Sequence, residues 1–304
     1  MRVAVDHGMT SETREAFGQI GIWSSALHPS RADDTGKAAI TEAVAELEEL
    51  GYGTLWIGGS PSPEDAAAVV AATRSVTVAT GILSIWDHSA TDVAARIATL
   101  DASARGRLVL GLGVSHGPMV PQYAKPYSAM VAYLDALDSA TPPVDSGHRV
   151  LAALGPKMLR LAKDRALGAH PYLVTAEHTA EAREALGPGA LLAPELSVVL
   201  DTDLDRARTT ARNMLAMYLQ LPNYTDNLLR LGFSESDFDD GGSIRLLDAL
   251  FALGDAGQVK ARTRQYLDAG ADHVALQVLT ADQGGGGLPR AEWRALAEAF
   301  GDEL

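Results

Sequence analysis

From Phe17 onward, short runs rich in Val, Ile and Leu alternate with segments whose apolar residues recur at helical spacing, the pattern of successive βα units. Residues 17–23 read as a first strand, 38–50 as its helix closed by Gly51, and 54–57 as a second strand. Pro63 opens the next helix, at the position where a missing N–H costs least. A third strand spans 76–85, followed by a helix over 91–103 and a fourth strand over 107–113. A longer connection holding Pro118, Pro121, Pro126, Pro142 and Pro143 surrounds a helical stretch near 128–137. Strands five to eight fall at 149–153, 168–174, 197–200 and 273–277. Between the last two lie a helix over 204–219, a Pro-Asn-Tyr break at 222–224 and further helical stretches up to Ala269. Eight strands with covering helices predict an α/β chain, a single (β/α)8 TIM barrel with insertions after strands four and seven. An open doubly wound sheet would carry a Gly-rich dinucleotide turn after its first strand, and none follows Trp23. Residues 15–304 form the barrel in this reading, and 1–14 a weakly structured N-terminal extension.

The totals agree with one large core. The chain has 304 residues, 47% apolar and 21% charged, and closed α/β barrels run to about 250 residues or more. A formal net charge of −14 opposes the attraction that drives binding to phosphate backbones, which argues against nucleic acid and anionic membranes as partners. There is no cysteine, so disulfides, thiolate metal sites and cysteine nucleophiles are excluded. The start lacks the continuous apolar segment of a signal peptide or membrane span, and the expectation is a cytoplasmic protein acting on a small molecule.

A barrel selects a place for chemistry, the carboxyl ends of its strands. Gly81 in strand three is either a core glycine or the mark of a bulge. Leu110 to His116 ends strand four in either a tight turn or a floor for a flat ring or phosphate beside Gly113, with Ser115 and His116 donating. After strand five, Ala153, Leu154, Gly155, Pro156 and Lys157 make either an ordinary turn with Pro at N1 or an anion site facing a helix start, reinforced by Arg160. His28, His88, His116 and His170 are candidate acids or bases, with His116 ranked first by position. His170 and His273 read as structural. Trp23, Trp86, Tyr172 and Tyr224 either wall a substrate pocket or fill the core, and Gln277 needs a hydrogen-bond partner near the end of strand eight. Gly284 to Gly287 reads as a flexible loop or a phosphate-side lid. Isolated histidines without partnered carboxylates predict no metal.

Gly81-Ile82, the Leu-Gly-Leu-Gly strand ending in Ser115-His116, Ala-Ala-Leu-Gly-Pro-Lys at 152–157 and Gly-Ala-His-Pro-Tyr at 168–172 together resemble the luciferase-like monooxygenase superfamily. More narrowly they resemble its actinobacterial branch of oxidoreductases using the deazaflavin coenzyme F420. Leu-Pro-Asn-Tyr-Thr at 221–225 and the Ala-Gly-Ala-Asp-His-Val approach to strand eight extend the likeness. The resemblance implies a cis peptide at Gly81–Ile82 supporting the cofactor ring. It also implies phosphate near Ala153, Leu154, Gly155, Pro156 and Lys157, with Gly113, Ser115, His116, Pro171 and Tyr172 lining the rest. It implies hydride transfer to or from an organic substrate, and a homodimer. The acid and His that such dehydrogenases carry at the end of strand two are absent from Trp56 to Ser60, which favours a reductase or an acid from another strand. The alternatives are an FMN-dependent monooxygenase on the same barrel and a cofactor-binding barrel without turnover.

Overall fold

The computed structural model describes residues 11–281 and 287–304, so residues 1–10 of the expected extension and Gly284 to Gly286 of the glycine run lie outside the described residues. The described part of the extension enters a helix, Ser11–Phe17. Arg14 at its end hydrogen-bonds the Asp272 carboxylate.

The strands are β1 (Ile20–Ser24), β2 (Thr54–Gly58), β3 (Thr77–Gly81), β4 (Leu83–Ser84), β5 (Leu108–Gly113), β6 (Arg149–Leu151), β7 (Gly168–Ala169), β8 (Leu191–Leu192), β9 (Glu195–Leu200), β10 (Phe251–Gly254) and β11 (Val274–Val278). They pair in parallel in the order β10-β9-β11-β1-β2-β3-β5-β6-β7-β8, with β4 also on β5. Only Ala193 and Pro194 separate β8, at one end of this path, from β9, the strand next to its other end. Across that join Ala193 N and Glu195 N donate to Ala169 O and Pro171 O, both at 2.9 Å. The sheet therefore curves back on itself as a barrel wall.

Parallel strands covered on both faces need near-continuous apolar runs, and β2 and β3 are buried along their whole length. Alternation sorts their side chains. Trp23, Trp56, Ala79 and Val109, register partners across β1, β2, β3 and β5, belong to one cluster with Val150, Leu191, Ala193 and Ala275 inside the wall. Ile22, Leu55, Ile57, Val78 and Leu110 pack instead with the covering helices. Deep in the lumen, the Trp56 indole donates to His273 Nε2 at 3.0 Å and stacks on His170 at 4.1 Å. Burial pushes both imidazoles down to about 4, so they are neutral packing groups at ordinary pH.

Several expected boundaries move. The first strand begins at Ile20 because residues 11–17 are helical, and the third splits at Ile82 into β3 and β4. The helix expected over 91–103 is two helices, Ala90–Thr99 and Ala102–Arg107. Strand five ends at Leu151, and strand six shrinks to two residues before Pro171 and the left-handed Leu173 (φ 53°). Strand seven starts earlier, at Glu195 with β8 ahead of it. The 222–224 break is a helix start, Pro222–Arg230 with Pro at N1. The stretch read as helical before Ala269 contains β10, which pairs with β9.

Close approach between β3 and β5 rests on Gly111. Thr80 Oγ1 donates to Gly111 O at 2.7 Å, and a Cβ on Gly111 would overlap Thr80 O, a backbone atom that cannot yield cheaply. Gly111→Ala is expected to destabilise the fold by about 3 kcal/mol, read as a lower urea midpoint with an unchanged m value.

Candidate functional site

The strand ends meet around the β3–β4 break. Gly81–Ile82 is cis. Trp23 at the end of β1 lies across the ends of β2 and β3. Its Nε1 donates to Gly81 O at 2.9 Å, and a Cβ on Gly58 or Gly81 would come within 2.5 Å of its ring. Only glycine at both positions leaves room for this indole. On the other side of the break the half-buried Ile82 side chain covers Gly113, where a Cβ would come 2.7 Å from Ile82 Cγ1. Trp86 stands beside this surface, its Nε1 donating to Val114 O at 2.6 Å.

The end of β2 carries no acid of its own, but neighbours supply two. Ser60 Oγ donates to Asp87 Oδ2 at 2.8 Å and accepts from Ser84 N at 3.1 Å. Deeper in, His28 lies 3.7 Å from the buried Asp65 carboxylate and 3.2 Å from Ser30 Oγ. Burial lowers the His28 pKa against the opposing pull of Asp65.

His116 follows Ser115, which takes a left-handed conformation (φ 53°) that turns the chain out of β5. Its Nδ1 is 3.0 Å from Asn223 Oδ1. An amide oxygen can only accept, so Nδ1 holds the proton and Nε2 offers a lone pair. Burial lowers the His116 pKa and the Asn223 bond partly offsets it, which keeps the ring neutral near pH 7. The ring leans on Tyr224 at 5.2 Å, and aromatic contacts continue from Tyr224 to Tyr218 (5.2 Å), to Tyr172 (5.5 Å) and to Trp23 (5.4 Å). Tyr218 OH donates to Tyr172 OH at 3.1 Å, and Tyr172 OH donates to Gln277 Oε1 at 2.7 Å. Thus Trp23, His116, Tyr172, Tyr224 and Gln277 come together, whereas Trp86 faces Tyr123 (5.9 Å) at the margin and His88 has no contact with this group among the described residues.

After β6, Ala153 is buried and Leu154 half-buried, with Leu154 O accepting from His178 Nε2 at 2.8 Å. The helix Pro156–Arg165 then starts at Gly155 with no side-chain cap, Lys157 is exposed, and a Cβ on Gly155 would meet nothing within 4 Å. An uncapped helix start with free space and a nearby cation suits an anion.

Sequence reasoning also missed a buried acid. Glu195 at the start of β9 is buried within the barrel, its Oε1 accepting from Ser197 Oγ at 2.6 Å and its Oε2 from Leu173 N at 3.1 Å. Burial pushes its carboxyl up to about 7 despite these two bonds. The available signal was its alternation with Ser197 in the β9 register, which places both on the face that Ala275 and Gln277 share.

Among the described residues no three His, Asp or Glu gather as a metal site would need, and no helix is long and apolar enough to cross a membrane. Residues 19–145 match the luciferase-like monooxygenase family model. Curated protein sequences give no match. Three solved structures share the fold. An F420-dependent secondary alcohol dehydrogenase, in complex with an F420–acetone adduct, has a TM-score of 0.69 at 15% identity, over 93% of this chain and 98% of that one. The coenzyme F420 dependent tetrahydromethanopterin reductase from Methanopyrus kandleri reaches 0.68 at 16%, over 94% and 98%. The oxygenating constituent of 3,6-diketocamphane monooxygenase from Pseudomonas putida, in complex with FMN, reaches 0.67 at 13%, over 94% and 97%. Residues 19–145 are thus similar in sequence to the luciferase-like monooxygenase family, and nearly the whole chain shares the fold of these three structures.

Proposed function

We propose that this protein is a coenzyme F420-dependent oxidoreductase that moves a hydride between the deazaflavin and a small organic substrate. The observation that carries the reading is the joining, at one end of the barrel, of an apolar floor (Ile82 on Gly113), an amide whose N–H groups have no acceptor among the described residues (Gln277), and the open, uncapped helix start at Gly155. A flat ring bearing carbonyls, with a phosphate on its tail, needs those three surfaces in that combination. F420 is chosen over FMN in this reading because the quoted motifs resemble the F420-using branch of the family. When bound, a deazaflavin supplies a two-electron hydride carrier.

In this reading β3 with β4, and β8 with β9, each count as one position of an eight-strand barrel, with added chain after the fourth position and after the seventh, the latter including β10. Gly81, Ile82, Gly113, Ser115, Pro171 and Tyr172 shape the ring's bed, and Ala153, Leu154, Gly155, Pro156 and Lys157 receive its phosphate. Trp23, Trp86 and Tyr224 wall the substrate side with Gln277. Two copies form a homodimer, as the resemblance implies. His116 is the proton-transfer residue: Asn223 fixes its tautomer, so the unprotonated Nε2 takes a proton in one direction and returns it in the other. His116→Gln is expected to slow turnover about 100-fold or more while changing cofactor affinity by less than about threefold.

The test follows the oxidised deazaflavin's absorbance as pre-reduced cofactor is mixed with the protein and a panel of ketones, imines and activated alkenes. Reoxidation that depends on both protein and substrate supports the reading. Cofactor binding with no turnover across the panel would leave a binding barrel in its place.

A further inference from the structure

A carboxylate inside a barrel lumen is costly unless hydrogen bonds compensate it. Glu195 takes both its hydrogen bonds from groups next to the site. One donor, Leu173 N, belongs to a residue at φ 53°, a conformation that residues other than glycine rarely adopt, so this turn depends on what holds it. The turn is pinned again on its far side, where Tyr266 OH donates to Val174 O at 2.6 Å. Tyr172 is the residue just before it. The other donor, Ser197, is on β9 opposite Gln277 on β11. Hydroxyl protons therefore run from Tyr218 to Tyr172 to Gln277 Oε1. That occupies the amide's acceptor and turns its two N–H bonds outward as donors.

We propose that Glu195 is a positioning residue for this site: by holding Leu173 it keeps Tyr172 on Gln277, and so presents the Gln277 N–H groups to a carbonyl of the bound ring. The inference rests on the reading that a deazaflavin or flavin lies over the strand ends. Glu195 acts through the turn and Tyr172. The titratable groups that face it are Tyr172, Tyr218, Tyr224 and Tyr266, each with its pKa raised by burial and therefore neutral at ordinary pH. As an anion Glu195 accepts from both Ser197 and Leu173. As an acid it turns its own O–H on Oε1 toward Ser197 Oγ, reversing that bond, while Oε2 still accepts from Leu173 N but without the charge assistance that made the bond strong. The turn is thus tight above neutrality and looser below it.

The test uses the intact protein and two readouts. Tryptophan emission of the cofactor-free protein is recorded across about pH 5.5 to 8.5, since Trp23 contacts Tyr172, and F420 affinity is measured by fluorescence quenching over the same range. Wild type is expected to show an inflection near pH 7 in emission, with about tenfold weaker F420 binding on its acid side. Glu195→Gln should abolish both inflections. Tyr172→Phe, which keeps the ring but loses the bond to Gln277, should weaken binding about tenfold at every pH. A flat wild-type trace, or the same inflection in Glu195→Gln, overturns the proposal. Absence of binding by both F420 and FMN with the emission inflection intact overturns the proposed function and leaves the coupling of Glu195 to Tyr172 standing.

Discussion

Replacing Glu195 with Gln is expected to raise the melting temperature by several degrees at about pH 8 and to leave it nearly unchanged at about pH 4. In the unfolded chain this carboxyl titrates at its ordinary value of 4.5, and in the fold burial raises it to about 7. Between those values the folded state holds a proton that the unfolded state has released. The protonated form's stability is therefore fully present below 4.5 and is lost as pH rises through 7. The span amounts to about 3 kcal/mol. Gln keeps the shape, accepts from Leu173 N and donates to Ser197, and has no proton to lose. Paired thermal melts of wild type and variant across pH check this, and a constant difference at all pH values would count against it.

Gly58→Ala is expected to be damaging at the strand ends, because the added methyl falls within 2.5 Å of the buried Trp23 ring, which is held by its bond to Gly81 O. Trp23 would have to leave Gly81 O and Tyr172 together. The expected loss is about 2–3 kcal/mol of stability, a red-shifted emission and at least about tenfold weaker cofactor binding. Coupling supplies the control. In a Trp23→Ala background the same Gly58→Ala change should cost less than about 0.5 kcal/mol, since nothing remains for the methyl to strike. Additive effects would show that the glycine serves some other contact.

The barrel was legible in the sequence wherever a strand is buried on both faces. Thr54 to Gly58 and Thr77 to Gly81 are unbroken apolar or β-branched runs between turn residues, a pattern that leaves little choice of structure. β10 was not legible, because Phe251 and Leu253 continue the apolar spacing of the helix Ile244–Leu250, and four residues cannot break a helical period on their own. The loss of strand six beyond Ala169 follows from Pro171, which lacks an N–H for the ladder, and from Leu173, whose φ no propensity scale foresees.

The site shows the same division. Gly58, Gly81 and Gly113 are visible as glycines, but the partners that require them, Trp23 and Ile82, are known only once the strands pair. Glu195 follows a proline and so reads as a loop acid. Its depth comes from the neighbouring strand, not from its own surroundings in the chain. Tyr218 sits at the end of a helix, Leu204–Tyr218, where helical spacing alone does not say that its hydroxyl meets Tyr172. Asn223, hidden in the apparent break at 222–224, becomes the partner of His116 only when Pro222 starts a helix.

The central claim is that the strand ends hold a deazaflavin, and parallel equilibrium titrations of the purified protein with F420 and with FMN test it most directly. The account predicts saturable quenching of F420 fluorescence with a Kd in the micromolar range or below, and binding of FMN at least about tenfold weaker. Tight FMN binding with no response to F420 would contradict it.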